Sequence, residues 1–336
     1  MLSVAKGHTP RRGSMAFYPR KRARSIVARV RSWGSSDQTG LLGFAGYKVG
    51  MLHVIRVEDN PNSPFYGQEV STAATVIETP PLLIVGVRAY EDTPYGLRTL
   101  GEVWAEKLPE DLSRVFTVPK KEGYHRDQLA ALESLRDAID EVRVIVATQP
   151  RLAGIHKKKP EVFEIKVGGG PGEALDYSLK TLGKEISVND VFKEGSYVDV
   201  ISVTKGKGFQ GVIKRYGVKE MPRWHKHRKG SRRIGSVGPT KPAIMFTTPF
   251  PGQLGFHQRT EYNKRILKIG DVKEDDINPA GGWPHYGLVR SMYVMLEGSI
   301  PGPAKRLVKL RVPVRPRKES RESPRIVYVS TKPIGE

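Results

Sequence analysis

Short apolar runs, separated by turns that contain glycine and proline, are the main pattern of this chain from residue 41 onwards. The run LLGFAGYKVGMLHVIRV at 41–57 alternates glycines with β-branched and aromatic residues, and 71–90 contains two more runs on either side of Pro80 and Pro81. Runs of this kind, bounded by turn residues, predict β-strands. Further strands are predicted at 142–150, 161–169, 197–204 and in several short runs between 256 and 330.

A different pattern occupies residues 110–142, which are rich in acids and poor in glycine. Apolar side chains recur there at three- and four-residue spacing, which predicts an amphipathic helix. The apolar positions are Leu129, Leu132, Leu135, Ile139 and Val142.

These elements predict a mainly β protein with an α+β insertion. The strands of 41–90 and 190–330 are expected to form one discontinuous β-barrel core, and 91–189 an inserted α/β domain. A closed barrel is attractive because closure leaves no unpaired strand edges. Residues 1–40 form a basic N-terminal arm, in which Pro10 and Pro19 discourage a helix.

The excess of positive charge is confined to three segments, and this changes the picture. The net charge is +21, yet residues 1–31 hold nine Lys and Arg and no acid, 204–241 hold twelve against Glu220 alone, and 303–325 hold nine against two acids. The remainder is therefore net −6. Basic segments with interleaved aromatic residues and little core-forming material predict nucleic-acid binding. A membrane surface is a weaker interpretation, because none of the three segments has an apolar helical face.

A glycine motif stands at the start of the second basic segment. Gly206, Gly208 and Gly211 match G-x-G-x-x-G directly after a predicted strand. A dinucleotide site also needs a following helix and an acid about twenty residues later. Pro222 ends any helix early and no acid lies between Glu220 and Glu261, so we expect no nucleotide cofactor here.

The histidines do not predict a metal site. His225 and His227 lie among lysines and arginines, no carboxylate is near them, and the chain has no cysteine. Because metal sites usually add carboxylates or thiolates, we expect neither a metal nor any other cofactor. Hydrogen bonding or stacking against RNA is the favoured role for these histidines, and the alternative is that they are exposed polar residues with no binding role. Trp224 is the best candidate for base stacking, with packing against the chain's own barrel as its alternative.

Other classes of function find little support. No G-x-S-x-G elbow or other convergent acid–base site is present, so the sequence predicts no enzyme. An RNA-modifying or RNA-cleaving enzyme on a barrel scaffold remains the alternative, and DNA packaging is compatible with the charge alone. No apolar run is long enough for a membrane span, the first residues lack the apolar region of a secretory signal, and the absence of cysteine suits an intracellular protein.

The predicted binding side chains are mostly cations of the three basic segments. Lysine and arginine neutralise phosphates and release condensed counterions, and arginine adds bidentate contacts and stacking. The predicted RNA-binding residues are Arg11, Arg12, Arg20, Lys21, Arg22, Arg24, Lys205, Lys207, Lys214, Arg215, Arg223, Trp224, His225, His227, Arg228, Lys229, Arg232, Arg233, Lys241, His257, Arg259, Lys305 and Arg306.

Five blocks of sequence, in one order over nearly the whole chain, resemble a known family. They are HTPRRGSMAFYPRKRA at the N-terminus, FAGYKVGM at 44–51, VTKGKGFQGVIKRYG at 203–217, GQLGFHQRTEYNKRILKIG at 252–270 and GSIPGPAKRLVKLRVPVRP at 298–316. The blocks resemble the universal family of large-subunit ribosomal protein three, in its archaeal form.

This resemblance implies a barrel of the translation-protein type and a basic finger extension at about 205–260. It also implies a structural, non-enzymatic constituent of the large ribosomal subunit in the cytoplasm. Such a protein binds 23S-type rRNA, supports early subunit assembly, contacts neighbouring ribosomal proteins and has no membrane or small-molecule partner. The finger approaches the peptidyl transferase centre, with its tip near 236–243, where Thr240 stands at the place of a tryptophan common in relatives.

Overall fold

A computed structural model describes residues 10–118, 124–222, 229–316 and 323–330. The chain divides into two compact units. The first, here the arm–finger unit, comprises Met1–Ile26 and Val203–Gln258. The second, here the sheet unit, comprises Val27–Ser202 and Arg259–Glu336.

The described residues are mainly β. The strands are β1 (Gly40–Leu41), β2 (Gly43–Val57), β3 (Glu69–Glu78), β4 (Leu82–Thr93), β5 (Gly96–Trp104), β6 (Glu141–Ala147), β7 (Val162–Gly168), β8 (Glu185–Ile186), β9 (Tyr197–Val203), β10 (Phe209–Gln210), β11 (Gly252–Gln253), β12 (Gln258–Asp271), β13 (Met292–Glu297), β14 (Leu307–Arg311) and β15 (Ile326–Val329). The α-helices are α1 (Tyr124–Glu133), α2 (Pro171–Thr181) and α3 (Val212–Tyr216). Single 3₁₀ turns lie at Met15–Phe17, Glu110–Arg114, Arg136–Ala138, Pro150–Leu152 and Val188–Asp190. None of the helices in these ranges is long and apolar enough to cross a membrane.

Two antiparallel sheets organise the larger part of the chain. Six strands form one sheet in the order β1-β7-β6-β4-β5, with β8 added beside β4. Seven strands form the other in the order β14-β9-β12-β13-β3-β2-β15. Since β14 also pairs with β2, the strands β2, β3, β13, β12, β9 and β14 close into a ring of hydrogen bonds.

The ring strands are buried on both faces over part of their length. Successive side chains of a strand point to opposite faces, and here Phe44 and Val308 pack in one hydrophobic cluster while their neighbours Ala45 and Leu307 pack in another. The first cluster also contains the inner face of the six-stranded sheet, for example Val144. Burial on both faces at the start of β2 explains why residues 43–47, GFAGY, include no charged residue.

Most strand predictions are confirmed, and the predicted helix is shorter than its apolar spacing suggested. α1 ends at Glu133, Leu135 is 39% exposed, and Val142 belongs to β6. The three- and four-residue spacing continued by coincidence into a β-branched run, VRVIVA, which prefers a strand. α2 was not predicted, although Pro171 at its first turn is a recognised helix start.

Lys309 is a buried lysine inside the sheet unit, and we expect its titration to couple the stability of this unit to pH. Its side chain is 5% exposed and its Nζ lies 3.9 Å from the centroid of the Phe163 ring. Burial lowers the pKa of Lys309 from 10.5 to about 7, and the negative charge of Glu164 opposes that shift. Between these two values the folded protein therefore binds fewer protons than the unfolded chain.

We expect the free energy of unfolding to rise with pH between about 7 and 10 because of Lys309. One proton contributes at most about 1.4 kcal/mol per pH unit. Lys309→Met removes this contribution. The free energy of unfolding of the wild type should therefore increase relative to that of the variant as the pH rises through this window. Urea unfolding of both proteins at several pH values checks the prediction, and parallel pH profiles would contradict it.

Candidate RNA interface

Two arginines hold the N-terminal arm to the finger within the arm–finger unit. Arg20 donates from Nη1 to the carbonyl oxygen of Arg215 at 2.6 Å, and Arg215 donates from Nη2 to the carbonyl oxygen of Arg20 at 3.1 Å. Arg215 also donates to the carbonyl oxygens of Phe250 (2.7 Å) and Gln253 (3.0 Å). Both guanidinium groups are thus engaged with the backbone of their own unit.

Aromatic rings pack around this pair. The guanidinium carbon of Arg20 lies 4.2 Å from the ring centroid of Tyr216 and 5.5 Å from that of Tyr18. Tyr18 also packs against Phe246 at a centroid distance of 5.6 Å. Arg11 donates to the carbonyl oxygen of Thr247 at 3.1 Å. Burial raises the pKa of Tyr216, so this phenol stays neutral at physiological pH.

The base of the finger is fixed by His257. Its side chain is 5% exposed, and its Nδ1 lies 2.7 Å from the carbonyl oxygen of Lys21, an acceptor, so the nitrogen donates. The backbone of Thr204 donates to the carbonyl oxygen of His257 at 2.9 Å. Gly255 has φ +72°, and a Cβ there would meet the carbonyl oxygen of Lys205 at 2.1 Å, so only glycine fits. The predicted RNA-binding role of His257 stays a prediction.

The glycine motif contains the two-residue strand β10 and is followed by about one and a half helical turns. β10 pairs with β11, and α3 begins directly after Gly211. α3 ends after five residues because Gly217 adopts a left-handed conformation, with φ 69°. The helix that a dinucleotide loop requires is therefore too short here.

The only acid of the arm–finger unit is neutralised within it. Glu220 accepts from Ser231 Oγ at 2.7 Å and from Arg232 Nη1 at 3.0 Å. Most other predicted cations of this unit reach solvent. The exposed ones are Arg11, Arg12, Lys21, Arg22, Arg24, Lys205, Lys207, Lys214, Lys229, Arg232, Arg233 and Lys241.

The remaining predicted residues fall into two groups. Arg259, Lys305 and Arg306 belong to the sheet unit, where burial lowers the pKa of Arg306 and Lys305 is exposed. The others lie outside the described residues: Arg223, Trp224, His225, His227 and Arg228.

Exposed apolar side chains among the cations were missed by the sequence analysis. Phe209 is 74% exposed, Phe246 is 73% exposed and Met245 is 62% exposed. Aromatic side chains in a basic groove stack on nucleic-acid bases, so Phe209, next to the exposed Lys207, is a further stacking candidate. The sequence did contain a signal for Phe209, because it is an aromatic residue in a basic segment with few apolar residues to pack against it. Thr240, near the predicted tip, is exposed.

Removing the Arg215 side chain should release the arm. Arg215→Ala deletes three charge-assisted hydrogen bonds to backbone carbonyls, each contributing about 1.5–3 kcal/mol. We expect hydrogen exchange at the amides of Ala23 and Leu254, which are bonded to Phe256 and Gly208, to accelerate by at least about tenfold.

Lys214→Ala is the matched control, because Lys214 is adjacent and exposed. Equal exchange rates in both variants would show that Arg215 does not hold the arm. Mass spectrometry of the exchanged protein gives both rates.

Comparisons with known proteins agree with the five sequence blocks. The family model described as Ribosomal protein L3 matches residues 2–334. Large ribosomal subunit protein uL3 of Pyrobaculum calidifontis is 55% identical over 337 residues, covering 98% of this chain and 99% of that protein. Two further proteins of the same name match to a similar extent. The one from Archaeoglobus fulgidus is 51% identical over 97% of this chain and 98% of that protein. The one from Methanothermobacter thermautotrophicus is 52% identical over 98% of both chains. This chain therefore belongs to the ribosomal protein L3 family.

Proposed function

We propose that this chain is a structural constituent of the large ribosomal subunit, on the ribosome in the cytoplasm, where it binds large-subunit rRNA. The observation that carries the proposal is the distribution of charge between the two units. The arm–finger unit holds nineteen Lys and Arg against one acid, which is +18 of the total of +21. The sheet unit is nearly neutral. A unit of that charge density is stabilised by a polyanion such as packed rRNA.

The finer architecture is part of the same proposal. We infer that the ring of six strands is the closed barrel of translation proteins, with 41–90 and 190–330 as the barrel and 91–189 as the insertion. The arm (1–40) and the finger (205–260) supply the predicted phosphate contacts, supporting early assembly. The finger tip at 236–243 is proposed to approach the peptidyl transferase centre, and neighbouring ribosomal proteins contact the rest of the surface.

A structural role is favoured over an RNA-modifying or RNA-cleaving enzyme. Family membership over nearly the full chain supports it. The arginines and histidine with fixed partners, Arg20, Arg215 and His257, hold backbone carbonyls in place. They thus order the binding surface, which is what a scaffold for RNA needs.

Sedimentation tests this function directly. The protein should be recovered at one copy per large subunit and stay bound when subunits are washed at high salt. Purified protein should produce no turnover or cleavage of naked rRNA. Recovery below one copy per subunit, or turnover on naked RNA, would contradict the proposal.

A further inference from the structure

A further cationic segment of the sheet unit, outside the three basic segments, is the loop between β6 and β7. Residues 151–160, RLAGIHKKKP, carry four Lys and Arg and no acid. Two of these cations are neutralised, because Arg151 pairs with Asp111 and Lys157 pairs with Glu161. Lys158 and Lys159 are exposed, and among the described residues neither has an acidic partner.

This loop is held rigidly at both ends. The backbone N–H of Thr148 donates to the carbonyl oxygen of Glu161 at 3.0 Å, and the backbone N–H of Glu161 donates to Thr148 Oγ1 at 2.9 Å. Tyr47, buried below, donates to the carboxylate of Glu161 at 2.9 Å. A solvated charge run needs no such anchoring, and here it fixes the ends of the backbone segment that carries the lysines.

A buried carboxylate joins this loop to a second one at 283–291. Glu78 is fully buried; one of its oxygens accepts from the backbone N–H of Gly154 at 2.9 Å and the other from that of Arg290 at 2.6 Å. A Cβ on Gly154 would lie 1.9 Å from the carbonyl oxygen of Leu288, so the two loops touch through backbone. Arg290 therefore lies beside the lysine loop.

The second loop carries Arg290 and His285 on a backbone that forms a tight turn. Trp283 and Gly287 exchange two backbone hydrogen bonds, of 2.8 and 3.0 Å, which close a tight turn. His285 in that turn is exposed and has φ 61°, an uncommon conformation for a residue with a side chain. Arg290 is exposed, and the described residues include no acid paired with it.

We propose that His156, Lys158, Lys159, His285 and Arg290, here the two-loop basic surface, form a second RNA-binding site, in which the two lysines and the arginine contact the phosphate backbone. This inference rests on the proposed rRNA-binding function. Because buried hydrogen bonds anchor the backbone of both loops, phosphate binding does not have to order that backbone, which lowers the entropic cost of binding at this surface. Contacts to phosphate alone give affinity without sequence preference.

Salt-dependent binding of the full chain to large-subunit rRNA tests the proposal. The variant Lys158→Gln/Lys159→Gln/Arg290→Gln should lower the slope of log K against log salt by about 2–3, and the affinity roughly 100-fold at about 0.1 M salt. The matched control, Lys180→Gln/Lys184→Gln/Lys193→Gln, removes the same charge from exposed lysines of the same unit. It should leave the slope close to that of the wild type.

Equal slopes for the two triple variants overturn the proposal. They would indicate that this surface contacts an acidic protein partner or is simply solvated. Hydroxyl-radical footprinting gives a second readout. The site variant should lose protection of one rRNA segment that variants of the finger leave protected, and an unchanged footprint also overturns the proposal. Failure of the wild type to bind rRNA would instead contradict the proposed function, so the two failures are distinguishable.

Discussion

Neutralising five finger cations should reduce the affinity for large-subunit rRNA by about 10³- to 10⁴-fold at about 0.1 M salt. The change is Lys205→Gln, Lys207→Gln, Lys229→Gln, Arg233→Gln and Lys241→Gln in one protein, all at exposed positions. Each phosphate contact contributes about 0.7–0.9 to the slope of log K against log salt, so the slope should fall by about 3.5–4.5. Filter binding across a salt series measures both quantities.

The choice of residues spares the contacts that join distant parts of the arm–finger unit, and it removes one local hydrogen bond, from Arg233 Nε to the carbonyl oxygen of Gly230 at 3.0 Å. Arg20 and Arg215 bind backbone carbonyls, and Arg232 pairs with Glu220. A control with the same loss of charge comes from five exposed lysines of the sheet unit: Lys107, Lys180, Lys184, Lys193 and Lys273, each changed to Gln. If this control lost as much affinity as the finger variant, net charge and not the finger would determine binding.

Glu78→Ala should destabilise the sheet unit by about 3–5 kcal/mol, because it leaves several buried donors without an acceptor. The carboxylate accepts from the backbone N–H groups of Gly154, Arg290 and Ser291, from Ser291 Oγ and from the Tyr286 hydroxyl. Burial and the charge of Glu78 raise the pKa of Tyr286, so this phenol remains a donor. The melting temperature should fall by on the order of 10 °C.

Two further variants define the cause of that loss. Glu106→Ala makes the same substitution at an exposed position and should leave the melting temperature nearly unchanged. Glu78→Gln keeps the shape and one acceptor oxygen, and should lie between the two. A melting temperature for Glu78→Ala close to that of Glu106→Ala would refute the role of the carboxylate. Calorimetry or circular dichroism gives the values.

The strands were predictable because their apolar runs are interrupted by residues that cannot continue a strand. Pro80 and Pro81 separate β3 from β4, as expected. The end of α1 was less predictable. Ile139 and Val142 continue the helical spacing, but the β-branched residues of this segment favour the strand β6. Ring closure through β14 pairs segments more than 250 residues apart, and no local pattern specifies such a register.

The distribution of charge at the candidate interface was predictable from the sequence, but the roles of its individual side chains were less predictable. Phe209 was overlooked because its exposure follows from the absence of a packing partner in three dimensions. The proposed role of the basic residues at 156–159 depends on the tertiary structure, because the buried Glu78 joins their loop to the loop that carries Arg290.

The sequence by itself determined the family, the mainly β class and the concentration of positive charge in three segments, two of which are the arm and the finger. Those properties depend on composition and local pattern, which are present in the unfolded chain. Only the tertiary structure decided which cations are engaged with backbone carbonyls, such as Arg20 and Arg215, and which remain exposed, such as Lys205 and Lys207. The physical reason is that hydrogen bonding and burial are properties of contacts between residues far apart in sequence.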